Sequence, residues 1–354
     1  MENNKNWRHY INVVLGISFF SLVACSWQNK YQNSESIDLK DFEAIEFLKG
    51  NVITFDSMIM KPWLLQVYDT LLITCNLNTD KLFHVFDLKN RKQIAQRISM
   101  GQGPAEMLNP FFIPNDSVMM LFDLGKSIIS KYNIRDFVDS SDPTPFEQIK
   151  LSEQIMGEMV LVEDGIIGSP YHPKHAFYKF DKSGNEMRIF GERPVSEITY
   201  SNIEIVDAYR SVLTSNSIDK VAVCYYWTDL IEIYDKDGKL KKRIHGPEHF
   251  YPYFKGYTDR GMIYTKTIPG KSRDAYYSPV SVGGNIFVLF NGKNPNEAGY
   301  NILAKRIFVF DWDGTPRKIY ELDKGISNMD VDEKNKKIYG INDDPEYQII
   351  EFSY

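Results

Sequence analysis

Residues 230–246, LIEIYDKDGKLKKRIHG, decide the fold. Apolar side chains crowd Leu230 to Tyr234, the run breaks at Asp235-Lys236-Asp237-Gly238, and a second alternating run follows. This reads as a β-hairpin, because Asp bonds its own backbone in a tight turn and Gly tolerates positive φ there. AFYKFDKSGNEMRIFG (176–191) and RIFVFDWDGTPRKIYEL (306–322) write the same hairpin again. Weaker copies stand at LFHVFDLKN (82–90) and IISKYNIRD (128–136), and YQIIEFSY (347–354) begins a sixth.

The copies recur at roughly 45 to 55 residues, apart from one long interval between Asp235 and Asp311, and strand-only units of that period are propeller blades. Upstream of each copy lies another strand, among them LLITC (71–75), KVAVCYYW (220–227) and NIFVLF (285–290), with a less regular strand before it. Four strands in each of six units predict an all-β, six-bladed β-propeller of four-stranded antiparallel blades. The sixth blade runs out of chain after its third strand. Residues 51–55, NVITF, have the pattern to complete it, which would close the ring and cover its open sheet edges. No Pro/Gly/Ser-rich linker divides the repeats, which argues against two separate β-sandwich domains. The predicted organisation is a signal over 1–24, a lipidated Cys and tether over 25–50, and a propeller over 51–354.

Lys5 and Arg8 lead into the uncharged run INVVLGISFFSLVA (11–24) and then Cys25. A charged start before an apolar run too short to span a bilayer comfortably reads as a secretory signal. Leu22-Val23-Ala24-Cys25 resembles the bacterial lipobox, in which the Cys is lipidated and becomes the mature N-terminus. The resemblance implies an exported protein held at a membrane by its acyl chains. By the same resemblance, Ser26 after the Cys implies the outer membrane. The lack of an acidic cluster before Glu35 implies its periplasmic side rather than the cell surface.

Composition is ordinary for a folded protein. Hydrophobic residues make up 43% and charged residues 25%, which excludes global disorder, and 14% aromatics favour strands. A formal charge of −6 over 354 residues gives no general attraction to nucleic acid, so none is expected as a partner.

With the lipobox and the hairpins, GQGPAEM (101–107) and MDVDEKNKKIYGI (329–341) make the chain similar to the TolB-like six-bladed propeller lipoproteins of Bacteroidetes. Gly101, Gly103, Pro104 and Glu106 match the family's Gly-x-Gly-Pro-x-Glu signature. The resemblance implies fold and export, and no particular reaction.

In a propeller, the loops between second and third strands and the blade crossovers share one face, and the outer hairpin turns share the other. Extra length falls on the first face, in GQGPAEMLNP, SPYHPKHA (169–176), the 246–275 connection and NGKNPNEAGYN (291–301). Loops held by a rigid scaffold are where binding resides, so a protein or glycan partner is expected there. GPEHFYPYFKGYTDRGMIY (246–264) is the richest stretch. Phe250, Tyr251, Tyr253, Phe254 and Tyr257 offer stacking surface, Lys255 and Arg260 offer charge, and Glu106 offers a carboxylate near the channel. The opposing reading is that these aromatics pack onto the blade edges.

Four of the six His residues also map to this face, as the pairs His172/His175 and His245/His249. Pairs at such spacing are zinc candidates, but they come from different blades and lack a strong carboxylate partner, so no metal is assigned. The Asp-x-Asp-Gly turns lack the longer ligand series of a calcium loop, and Gly101-Gln102-Gly103 lacks the continuation of a phosphate loop. No cofactor is predicted. The favoured function is a membrane-tethered, non-catalytic binding or scaffold module. The alternative is a metal-dependent lactonase or gluconolactonase-like hydrolase with Asn109, Asp207 and Asp330 converging in the central channel. Cys75 and Cys224 fall half a ring apart and are expected as buried free thiols.

Overall fold

The computed structural model describes residues 31–115, 118–155 and 157–354; the signal, Cys25 and the start of the tether lie outside the described residues. Six sheets are arranged as blades. Blade one is Pro62–Tyr68, Leu71–Asn76, Lys81–Asp87 and Lys92–Ser99, numbered from the channel outwards. Blades two and three follow over 110–150 and 159–192, and blade five over 276–326. Blade four is Ser211–Ser215, Lys220–Tyr225, Leu230–Asp235 and Leu240–His245.

Each strand's sequence follows from its place in the blade. Second strands such as Leu71–Asn76, Lys220–Tyr225 and Asn285–Phe290 are buried along nearly their whole length. A neighbouring blade covers each of their faces, so they read as continuous apolar runs. The outer strand Lys92–Ser99 is mostly exposed or half-buried and keeps only Ala95 and Ile98 in the core. Blades join through packed side chains: Ile53, Leu65, Leu72, Phe86, Ile341 and Ile349 fill the space where blade six meets blade one.

The repeated turn is explained by two local facts. Asp235 Oδ1 accepts from the Asp237 and Lys239 N–H groups, and Asp311 Oδ1 accepts from those of Asp313 and Thr315. Both carboxylates are therefore occupied in holding their own turns. Gly238 adopts φ +80°, and a Cβ there would lie 2.4 Å from the Phe190 ring of blade three. Gly314 is placed in the same way, with a Cβ at 2.6 Å from Ile244 of blade four. The turn glycine of one blade thus lies against the outer strand of the preceding blade. Blade two departs from the repeat with helix α1, Ile134–Asp139, whose first N–H groups are capped by the Asn133 side chain.

Ring closure is as the strand count requires. Asn51–Ile53 pairs antiparallel with Gln348–Ser353 and becomes the outer strand of blade six after Asn328–Asp332, Lys337–Asn342 and Gln348–Ser353. The stretch expected as a tether does more than tether. Glu35–Ser36 adds a fifth, parallel strand to blade four, and Ala44–Leu48 adds one to blade five. From Tyr31 onwards the chain is a strap laid over the outer edges of three successive blades. The physical reason is that an outer strand leaves a row of unpaired N–H and C=O groups, which a passing extended segment satisfies.

The strap is held at its beginning by Tyr31, which is only 1% exposed. Its ring meets Tyr209, His245 and Tyr251, and its hydroxyl donates to Thr228 Oγ1 at 3.0 Å. Arg243, paired with the buried Glu232, also donates to the Gln32 carbonyl.

Candidate functional site

The loop face is built most heavily over blades three to five. Helix α2, Asn202–Ala208, begins at a capping box formed by Ser201 and Glu204 and lies in the crossover from blade three to blade four. The next crossover contains a separate two-stranded hairpin, Phe254–Asp259 with Met262–Thr267, which fills the long interval in the repeat. Its root is fixed to α2: the Gly256 N–H donates to Glu204 Oε1 at 2.6 Å, and the Thr265 hydroxyl donates to Asp207. Beyond that root the hairpin stands free, with exposed residues from Tyr257 to Tyr264.

The aromatic cluster read from the sequence divides between two roles. Phe250 and Tyr251 are buried, the first in the core around blades four and five and the second in that of blades three and four. The packing reading holds for these two. Tyr253 and Phe254 are half-buried at the hairpin root, where Phe254 packs edge-on against Trp227. Tyr257 is exposed and stacks on Tyr264 with ring centroids 5.6 Å apart, while Arg260 occupies the tip at φ +48°. Lys255 and Lys266 face each other two pairs below Tyr257, and Lys266 Nζ lies 5.2 Å from the Tyr257 ring.

Asp229 organises the approach to this hairpin. Its two oxygens accept from the N–H groups of Glu248, His249 and Phe250 at 2.7 to 3.0 Å and meet His245 Nε2 at 3.2 Å. His249 Nε2 instead faces Asp38 Oδ1 at 3.3 Å. His172 and His175 stack on each other, and His172 Nδ1 accepts from the Lys174 and His175 N–H groups. The two pairs thus serve separate loops. Among the described residues no group of three or more His, Cys, Asp or Glu is arranged to hold a metal ion.

The Gly-x-Gly-Pro-x-Glu stretch is a crossover that closes on itself. Glu106 Oε2 accepts from the Gly103 N–H at 2.8 Å, and Lys126 Nζ donates to the Gly103 and Glu106 carbonyls. A Cβ on Gly101 would lie 2.0 Å from the Glu106 carboxylate. A side chain on Gly101 would displace the Glu106 carboxylate, which the Gly103 N–H holds onto its own loop.

The central channel is a cavity of about 780 Å³ running between the inner strands. Its polar lining includes Gln66, Glu158, Thr214, Ser278, Asn328 and Asp330. Several of these satisfy inner-strand N–H groups across blade boundaries. Asn328 accepts from Leu65, Asp330 from Val67, and Glu158 from Leu213. Ser278 has φ +48° at a bulge in blade five, and its hydroxyl oxygen accepts from Met329 N and Asn328 Nδ2. Burial pushes the Glu158 carboxyl up to about 7. Of the three residues expected to converge on a channel metal, Asp330 alone lines the cavity. Asp207 bonds Thr265 outside it, and Asn109 lies in the crossover between blades one and two.

The family model for the TolB-like 6-blade propeller-like fold matches residues 41–334. The chain belongs to that family. Among solved structures, the TolB-like chain is similar to a member of the DUF4221 family from Bacteroides vulgatus. The identity is 12% and the TM-score 0.52, over 86% of this chain and 97% of the other. A putative exported protein from Bacteroides fragilis matches at 12% identity and TM-score 0.49, over 87% and 98% of the two chains. Raptor from Chaetomium thermophilum matches at 11% identity and TM-score 0.50; the aligned part is 86% of this chain and 29% of Raptor, under a third of its length. These likenesses are likenesses of fold. No curated protein matches the chain in sequence.

Two features of this TolB-like propeller escape a reading for aromatics. The free hairpin has its own signature in Tyr257-Thr258-Asp259-Arg260-Gly261-Met262-Ile263-Tyr264, two short alternating runs about a turn. Glu158 has no signature, because nothing adjacent in sequence shows that it lines a channel. Among the described residues no helix is long and apolar enough to cross a membrane.

Proposed function

We propose that this protein is an exported lipoprotein, acylated at Cys25 and held at the periplasmic side of the outer membrane. Its propeller then serves as a non-catalytic binding or scaffold module that engages a protein or glycan through the loop-rich face. The observation carrying the second statement is the structure added to the loop face over blades three to five: the exposed loop at Tyr171, helix α2 and the hairpin over 254–267. The hairpin is rooted by Glu204 and Asp207 on a rigid scaffold, yet it exposes Tyr257, Met262, Ile263 and Tyr264. A propeller does not need such an element to fold, and exposed aromatics with flanking cations suit recognition. The first statement rests on Leu22-Val23-Ala24-Cys25 behind a charged, then apolar, N-terminus.

Two measurements test the reading. Cys25→Ser is expected to abolish incorporation of labelled fatty acid and to release the protein from the membrane fraction; unchanged labelling refutes the anchor. A photo-crosslinking residue in place of Tyr171, exposed on the loop face, is expected to capture an envelope protein or glycan that the same residue at Lys182, on the turn face, does not. Equal capture at both positions refutes the choice of face.

A further inference from the structure

We infer that the hairpin Phe254–Asp259/Met262–Thr267 is a second membrane contact that lies in the lipid interface beside the acyl anchor. This rests on the lipoprotein reading of Cys25 and adds an orientation to it.

The stretch between Cys25 and the first described residue, Tyr31, is short. Cys25 stands six residues before Tyr31, a span of at most about 20 Å when fully extended. Tyr31 is buried, so an acyl chain on Cys25 brings the leaflet to within that distance of the Tyr31 pocket. The same pocket is the base of the hairpin. Tyr251, 4.9 Å from Tyr31 ring to ring, stands three residues before Phe254, and Tyr200 bridges Tyr209 to the Pro252 carbonyl. Beyond the root at Gly256 and Thr265, three further residue pairs let the hairpin project about 10 Å before its turn. The tether is therefore long enough for an anchored leaflet to meet the hairpin tip.

The side chains are ordered as an interfacial element requires. On one face of the hairpin, the cross-strand pairs run Lys255/Lys266, then Tyr257/Tyr264, then Asp259/Met262. With Arg260 in the turn, cations stand at both ends and aromatic and apolar residues between them, a composition suited to an element lying along a headgroup interface. Among the described residues, Met262 is 59% exposed and Ile263 61%. Lys255, Arg260 and Lys266 against Asp259 make the hairpin basic on a chain of net charge −6, so it is the part suited to anionic headgroups. Arg260 at the tip indicates a hairpin lying along the interface, its guanidinium turned back to phosphate, rather than one driven end-on into hydrocarbon. The turn face of the propeller would then point away from the membrane.

The test uses the acylated protein reconstituted into vesicles of phosphatidylethanolamine and phosphatidylglycerol. An environment-sensitive fluorophore is placed on Ile263→Cys, or on Lys182→Cys at the opposite face; Cys75 and Cys224 are buried and stay unlabelled in the native protein. The expected result is blue-shifted emission and severalfold stronger quenching by spin-labelled lipid at 263 than at 182. Mass analysis of the N-terminal peptide in the same sample separates the two layers of the reading. An acylated, vesicle-bound protein whose 263 probe is no more quenched than the 182 probe overturns the hairpin contact and leaves the lipoprotein reading standing. An unmodified Cys25 overturns both. Shielding of the 263 probe by added envelope proteins, without quenching by lipid, assigns the hairpin to a protein and overturns the lipid contact.

Discussion

The carboxylate of Asp330, on the inner strand of blade six, accepts a hydrogen bond from the Val67 N–H of blade one at 2.7 Å. This bond and its neighbour from Leu65 N–H to Asn328 Oδ1, at 2.9 Å, stitch the two ends of the propeller together on the channel side. The outer side of the same blade is completed by Asn51–Ile53. Inner strands leave backbone N–H groups facing the channel, and polar side chains from the next blade satisfy them. Asp330→Ala is expected to destabilise the fold by about 1–3 kcal/mol, the usual cost of leaving a part-buried donor unpaired. Urea denaturation measures it; a change within error would mean that channel water replaces the carboxylate without loss.

Tyr31 carries the second prediction. Its ring fills a pocket made by Tyr209, His245 and Tyr251, and Tyr31→Ala is expected to cost about 3 kcal/mol, as for other large-to-small core changes. Tyr31→Phe keeps the ring but loses the bond to Thr228, for about 1 kcal/mol. A Tyr31→Ala variant with wild-type stability would show that the strap is not latched at its start.

How much of this was legible in the sequence depends on the range of the interactions. The Asp-x-x-Gly turns could be read because their chemistry is local: Asp235 bonds N–H groups two and four residues on. Counting those turns also exposed the missing outer strand, and residues 51–55 stood where it was needed. The parallel strands at Glu35–Ser36 and Ala44–Leu48 could not be read, since their pairing uses backbone groups some two hundred and more residues away. Phe250 and Tyr257 look alike as aromatics in one loop. Burial separates them, and burial is decided by partners such as Phe290 and Arg273 that the local sequence does not reveal.

The cysteines give a third prediction. Cys75 and Cys224 are both buried and unpaired, in the second strands of blades one and four. Burial pushes the Cys75 thiol up to about 12 and raises that of Cys224 as well, so little thiolate forms at neutral pH. In the acylated protein, two thiols are expected to react with Ellman's reagent after denaturation and essentially none before. A shift in gel mobility on reduction, or rapid native reactivity, would contradict this packing.

Glu158 gives the last prediction, and its sign is the reverse of an ordinary carboxylate's. In the folded chain its carboxyl is raised from 4.5 to about 7 because burial penalises the charged form, and the single Leu213 N–H, 3.2 Å away, offsets little of that cost. Between these two values the folded state keeps a proton that the unfolded chain releases. Stability contributed by this site is therefore full below the unfolded value, falls as pH rises through the window, and levels off above about 7. Glu158→Gln has no charge to desolvate and can still accept from Leu213. It is expected to match the wild type at about pH 4 and to exceed it at about pH 8 by on the order of 1–3 kcal/mol. Urea midpoints at the two pH values decide the matter. If the variant loses stability between them as steeply as the wild type, Glu158 is solvated in the channel and the slope belongs to other groups.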